Sequence, residues 1–135
     1  MTASPSGRAI RPPRLKKRGD FLRLARVGSK FAAPGLVLQA SPTPPEPAIS
    51  AEIRNSTLAS PARIGYTVTR KVGNAVIRNR ARRRLKAAAD LVMPAHAAAG
   101  TDFVIIGRAG TLTRPFGALV GDLETALRKL KCYRD

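Results

Sequence analysis

An α+β fold, a small two-layer sandwich of one central β-sheet with about three helices, is what this sequence predicts. Apolar residues recur at helical spacing in three stretches, and in three others they form short alternating or continuous runs of strand length. The two kinds interleave along 135 residues, a length that suits one core, with the 44% apolar content of an ordinary globular chain.

The elements follow in order. In DFLRLARVG, Phe21, Leu24 and Ala25 stand at helical spacing before Gly28 ends the run, while PGLVLQAS and RIGYTVTR read as short strands. In the second strand Ile64, Tyr66 and Val68 face the core, and Gly65, Thr67 and Thr69 make a polar face. A helix starts at Asn74, whose side chain can accept from the freed N–H groups, and Ile77, Ala81, Leu85, Ala88 and Val92 give it an apolar stripe before Pro94 closes it. DFVIIG, Asp102 to Gly107, is the next strand. The last helix follows Pro115, with Phe116, Leu119, Val120, Leu123, Leu127 and Leu130 on its buried side.

Residues 1–14 have three prolines, three arginines and little to bury, and read as a mobile basic arm; residues 15–131 read as a single domain. Within it, residues 41–62 carry five prolines among Ser, Thr and Ala, which excludes helix or central strand and predicts a long surface loop.

Charge narrows the function. Against 25 Lys and Arg stand 8 Asp and Glu, and a net charge of +17 repels itself in a compact chain unless a polyanion neutralises it, so nucleic acid is the expected partner. No apolar run has the ~18 residues of a membrane span, and the N-terminus lacks the apolar segment of a signal peptide, so a cytoplasmic protein is expected. The lone Cys132 reads as a free surface thiol and the lone His96 as a solvated or capping imidazole. No paired carboxylates, nucleophile constellation or metal-ligand cluster is visible.

The charge concentrates on the middle helix. At ~100° per residue, Arg78, Arg82 and Lys86 lie on one flank of the apolar stripe, Arg80 and Arg84 on the other, and Asn79 with Arg83 opposite it. Five arginines in the seven residues 78–84 repel one another, and the only acid at a compensating spacing in this block is Asp90, beside Lys86. Arginine suits forked contacts to phosphate better than simple solubilisation does.

KVGNAVIRNRARRRLK, from Lys71 to Lys86, closely resembles the signature of the protein subunit of bacterial ribonuclease P, an Arg-Asn-Arg triplet on a helix reached through Gly-Asn-Ala-Val. RLKKRGDF, RIGYTVTRK and DFVIIGRAG are similar to the family's first-helix start, second strand and last strand. The resemblance implies a non-catalytic subunit of a ribonucleoprotein endoribonuclease, which helps a catalytic RNA remove the 5′ leader of precursor tRNA. It implies Mg²⁺ bound mainly by the RNA, no metal on the protein, and a left-handed βαβ crossover against the usual right-handed rule. The oligomeric state of the free protein is left open.

By position in the motif, Lys71, Gly73, Asn74, Arg78, Asn79, Arg80, Arg82, Arg83 and Lys86 are the implied contacts to the catalytic RNA. The implied leader contacts are Phe21, Gln39, Thr67 and Thr69 between the first helix and the polar sheet face, with Arg78, Asn79 and Arg82 bordering them. Phe21 suits either base stacking or the core. Ala25 and Gln39 stand where relatives often carry aromatics, which shifts the grip on a leader toward arginine. A ribosomal or other structured-RNA-binding protein would carry the same charge. A DNA-binding regulator would need a second helix a short turn before the basic one, and none is predicted.

Overall fold

The computed structural model describes residues 13–44 and 62–134. The chain folds into the expected α+β class. In order come α1 (Arg18–Val27), β1 (Ser29–Ala32), β2 (Leu36–Pro42), β3 (Arg63–Thr67), α2 (Ala75–His96), β4 (Thr101–Gly107), α3 (Gly110–Thr113) and α4 (Phe116–Lys129). The sheet order is β1-β2-β4-β3, with β1 and β4 antiparallel to β2, and β3 parallel to β4.

β1 and α3 add to the expected elements. β1 shows no apolar alternation, being mostly exposed. It exists because the turn at Pro34 and Gly35 folds it back on β2, with Ala33 N donating to Leu36 O at 2.8 Å. α3 is a single turn held by Thr111, whose hydroxyl accepts from Arg108 N at 2.9 Å and donates to Gly35 O at 2.6 Å.

β2 runs two residues into the stretch expected as loop, through Ser41 and Pro42. β1 pairing ends at Ala40, so Pro42 faces β4 alone and its missing N–H breaks no ladder on the other side. The rest of the expected loop, residues 45–61, lies outside the described residues, as do residues 1–12 of the expected arm. Pro13 and Leu15 pair with β3, Ile64 N donating to Pro13 O at 2.9 Å and Leu15 N to Ile64 O at 3.0 Å.

β4 lies between β2 and β3 with Phe103, Val104 and Ile105 all buried, the apolar run of a strand covered on both faces. α2 and α4 pack on one face over Leu36, Leu38, Ile64, Phe103 and Ile105. α1 lies on the other face, where Leu24 joins Leu15 and Val104, with Phe21 and Ile106 against them. The face expected to be polar therefore carries a second, smaller core.

Three sequence expectations give way. Ala25 is exposed, because α1 buries only Leu24 fully. Phe116 is 37% exposed, while a buried Asp122 takes a place on the inner side of α4 that no apolar pattern marked. Pro94 does not close α2, which continues to His96. Proline removes one N–H, and Ala97 N still reaches Met93 O at 3.0 Å. Packing holds the extra turn: His96 stacks on Tyr133 at 4.5 Å between ring centroids, and Ala97 bridges Tyr133.

Candidate nucleic-acid interface

α2 builds the basic surface from its first residue. Asn74 caps it, Oδ1 accepting from Ile77 N at 3.0 Å, and Gly73 precedes the cap with φ 159°, where a Cβ would fall 2.7 Å from Ile77 Cγ2. Lys71 and Asn74 are exposed at this start. Burial of Ala81, Leu85, Ala88, Ala89, Val92 and Met93 turns the opposite side of the helix to water. Asn79, Arg80 and Arg83 are exposed there, with Arg78, Arg82 and Lys86 half-buried along one flank.

Asn79, Arg82, Arg83 and Lys86 come together around an open concavity of ≈ 280 Å³. Asn79 Oδ1 accepts from Arg82 Nη1 at 2.9 Å, which orients that guanidinium beside the concavity. The Lys86 ammonium lies 5.8 Å from the centre of the Tyr66 ring, and the Arg14 guanidinium 6.0 Å from it. Burial, and then the charge of Asp90, push the Tyr66 hydroxyl up to about 12, against the pull of Arg14. Among the described residues no carboxylate lies within ion-pair distance of Arg78, Arg80, Arg82 or Arg83. Four neighbouring cations without counter-charge bind a polyanion such as RNA at the least cost, since no internal pair must be broken first.

Other arginines are already engaged. Asp102, fully buried, accepts from Arg63 Nε at 2.8 Å and Nη2 at 2.7 Å, from Thr43 Oγ1 at 2.8 Å, and from Arg23 Nη2. Burial opposes its charge, yet the hydrogen bonds from Arg63, Thr43 and Arg23 outweigh that and hold its carboxyl below the ordinary range. Asp122 accepts from Gly35 N at 3.0 Å and from Arg114 at 2.6 and 3.0 Å, and the bond raises the Arg114 guanidinium further. Arg108 donates to Ala33 O at 2.7 Å, and Arg84 Nη2 donates to Arg114 O.

The leader candidates divide. Gln39 pairs with Val104 and Thr67 with Ile106, so both belong to the sheet face that α1 covers in part. Phe21 packs on the same face: a Cβ at Gly65 would meet its ring at 2.5 Å, so the glycine makes room for it. Phe21 and Thr67 are half-buried, Thr69 is exposed beyond the strand, and Gln39 is only 6% exposed. Arg78, Asn79 and Arg82 stand on α2, across the sheet from Phe21, and the chain joins the two sets through the turn from Val68 to Asn74.

Sequence reasoning passed over Phe116, taken as core, and the basic neighbours of Tyr66. The pairing of Arg14 with β3, which sets a cation over that ring, has no local signal. Cys132 is half-buried, its thiol 3.4 Å from Leu130 O and pushed up by burial. His96 Nδ1 lies 2.9 Å from the Arg134 carbonyl. Among the described residues no group of His, Cys, Asp and Glu is placed to hold a metal ion, and no helix is long and apolar enough to cross a membrane.

Residues 11–131 match the family model described as Ribonuclease P. The chain is 52% identical to the ribonuclease P protein component of Paramagnetospirillum magneticum over 90% of its own length and 85% of that protein's. To the ribonuclease P protein component of Gluconacetobacter diazotrophicus it is 50% identical, over 90% and 93% of the two chains. Its fold superposes on the RNase P protein of Staphylococcus aureus with a TM-score of 0.66 at 23% identity, covering 92% of this chain and 100% of that one.

Proposed function

This chain belongs to the ribonuclease P protein family, the protein components of the ribonucleoprotein endoribonuclease that matures tRNA 5′ ends, and on that premise we propose how its surface is used. α2 binds the catalytic RNA through Arg78, Asn79, Arg80, Arg82, Arg83 and Lys86, with Lys71, Gly73 and Asn74 at the helix start. The observation that carries this is the row of arginines with no carboxylate partner among the described residues, whereas Arg23, Arg63 and Arg114 are paired with acids.

The 5′ leader of precursor tRNA lies on the sheet face beside α1, at Phe21, Thr67 and Thr69. Gln39 is reached once a strand displaces its cover. Arg78, Asn79 and Arg82 border that path. Residues 15–131 act as one RNA-binding domain, and residues 1–14 as a basic arm whose end, at Pro13 and Arg14, is anchored on β3, working in the cytoplasm. The residues present fit a role without a metal of their own: five arginines in seven residues repel divalent cations and attract phosphate, so Mg²⁺, which supplies the nucleophile and offsets the leaving charge, is bound mainly by the RNA. The protein contributes screening where two polyanions approach and a grip on the single-stranded leader.

Reconstituted cleavage of precursor tRNA tests this. The cognate RNA alone should cleave at high Mg²⁺, added protein should matter most at low Mg²⁺, and protein alone should cleave nothing. Cleavage by RNA-free protein would overturn the reading.

A further inference from the structure

Phe116 is exposed where a leucine-lined helix would bury it. Leu119, Leu123 and Leu127 behind it on α4 are fully buried, whereas Phe116 leaves 37% of its surface open. It stands against the flank of α2 opposite the one that Asn79, Arg82 and Lys86 occupy. The Arg84 guanidinium lies 6.0 Å from the ring centre and is held there by its hydrogen bond to Arg114 O. Its Nε is buried without a hydrogen-bond partner among the described residues. One turn back on the same flank, Arg80 is exposed with no carboxylate in reach among the described residues.

An apolar ring kept in water gains by being covered, and its π face attracts cations and flat conjugated groups. A ring beside the Arg84 guanidinium, on the α2 flank that Arg80 also occupies one turn back, presents a surface on which an unpaired base can stack while its phosphates meet the arginines. Apolar bulk alone would cover Arg84, whereas a π face serves both that cation and a stacked base.

We propose that Phe116, Arg80 and Arg84 form a nucleotide-binding platform for the catalytic RNA, with one unpaired base stacked on the open part of the Phe116 ring. The inference rests on the function proposed above and adds to it a second flank of α2. RNA then holds the helix from both sides and fixes its rotation, which one flank alone does not.

Two measurements test it, both on catalytic RNA without precursor tRNA. Phe116→Leu keeps apolar bulk and loses the π face, so binding should weaken roughly 5- to 150-fold, the range for one stacked base, with no change in salt slope because no charge is removed. Phe116→Tyr should bind within about two-fold of the parent, since the ring remains. Unchanged melting of both variants separates a weakened interface from a weakened fold. The chain contains no tryptophan, so Phe116→Trp places its single tryptophan on the platform, and emission excited selectively at that residue should be quenched when the RNA binds. Emission that does not move, or tight binding by Phe116→Leu while Arg83→Ala weakens it, overturns the platform and leaves the function standing. A loss that appears only when precursor tRNA is present overturns the choice of catalytic RNA as occupant. Full affinity in both Phe116→Leu and Arg83→Ala overturns the function as well.

Discussion

Around Asp102, Arg23 and Arg63 converge on one buried carboxylate that ties α1, β3 and β4 together. Along the first turns of α2, Arg78, Arg80, Arg82 and Arg83 stand as close in sequence as a helix allows, with no carboxylate partner among the described residues. The side chains are chemically the same. What separates a structural arginine from one available to RNA is where the few acids are spent: Asp102 and Asp122 are buried in bonds that join distant elements. The α2 side chains keep their charge for an external anion, and the repulsion among them is relieved only when it arrives.

The strongest test of that division removes the unpaired set. Arg78→Ala, Arg80→Ala and Arg83→Ala together should leave thermal stability within about 0.5 kcal/mol of the parent. Binding of the catalytic RNA should fall by roughly 3 kcal/mol or more, at about 1 kcal/mol for each hydrogen-bonded phosphate given up. The slope of log affinity against log salt should flatten by about one unit for each such phosphate. An unchanged slope in filter-binding titrations would mean that this face is merely solvated.

The reverse pattern is expected at the paired set. Asp102→Asn should cost about 3 kcal/mol in urea unfolding, the lower end for breaking a buried pair, because Arg23 and Arg63 keep part of their exposure to water. RNA affinity of the folded fraction should hardly change. Because the Asp102 carboxyl is held below the ordinary range, its contribution is fully present above the unfolded value of ~3.9 and is lost as pH falls through the folded one. The parent should therefore lose stability below about pH 4, and the variant should lack that part of the acid limb.

A smaller effect sharpens the comparison on the sheet face. Phe21→Ala should cost ~1–3 kcal/mol in binding a precursor with a long leader and almost nothing with a leader trimmed to a nucleotide or two. Measuring both substrates subtracts the weaker packing against Leu15 and Leu24. Equal losses would assign Phe21 to the core. The smallest effect is expected from replacing residues 45–61 with a short Gly/Ser turn. This keeps Thr43 on Asp102 and should shift stability by less than about 1 kcal/mol, since a shorter loop closes at no greater entropic cost. Loss of the folded state in circular dichroism would make that segment part of the domain.

The basic helix was legible because both of its signals are local: an Asn cap before an apolar stripe, and arginines at every position the stripe leaves free. The alternation of Ile64, Tyr66 and Val68 placed the core face of β3, whereas the face of Gly65 and Thr67, read as polar, carries the second core. What covers the second face was not legible, since α1 reaches Val104 across 80 residues of sequence. β1 shows no apolar period to read because only Phe31 of its four residues touches the core. Phe116 was assigned to the core because period cannot tell the last buried residue of a stripe from the first exposed one.

The sequence by itself determined the order of most elements, the identity of the charged helix and the polyanion it must meet, because periodicity, capping and charge density act between near neighbours. Tertiary structure alone decided which arginines are free to meet it. Asp102 is far along the chain from Arg23 and Arg63, and ion pairs depend on distance in space, which only the packing of α1 and β3 against β4 sets.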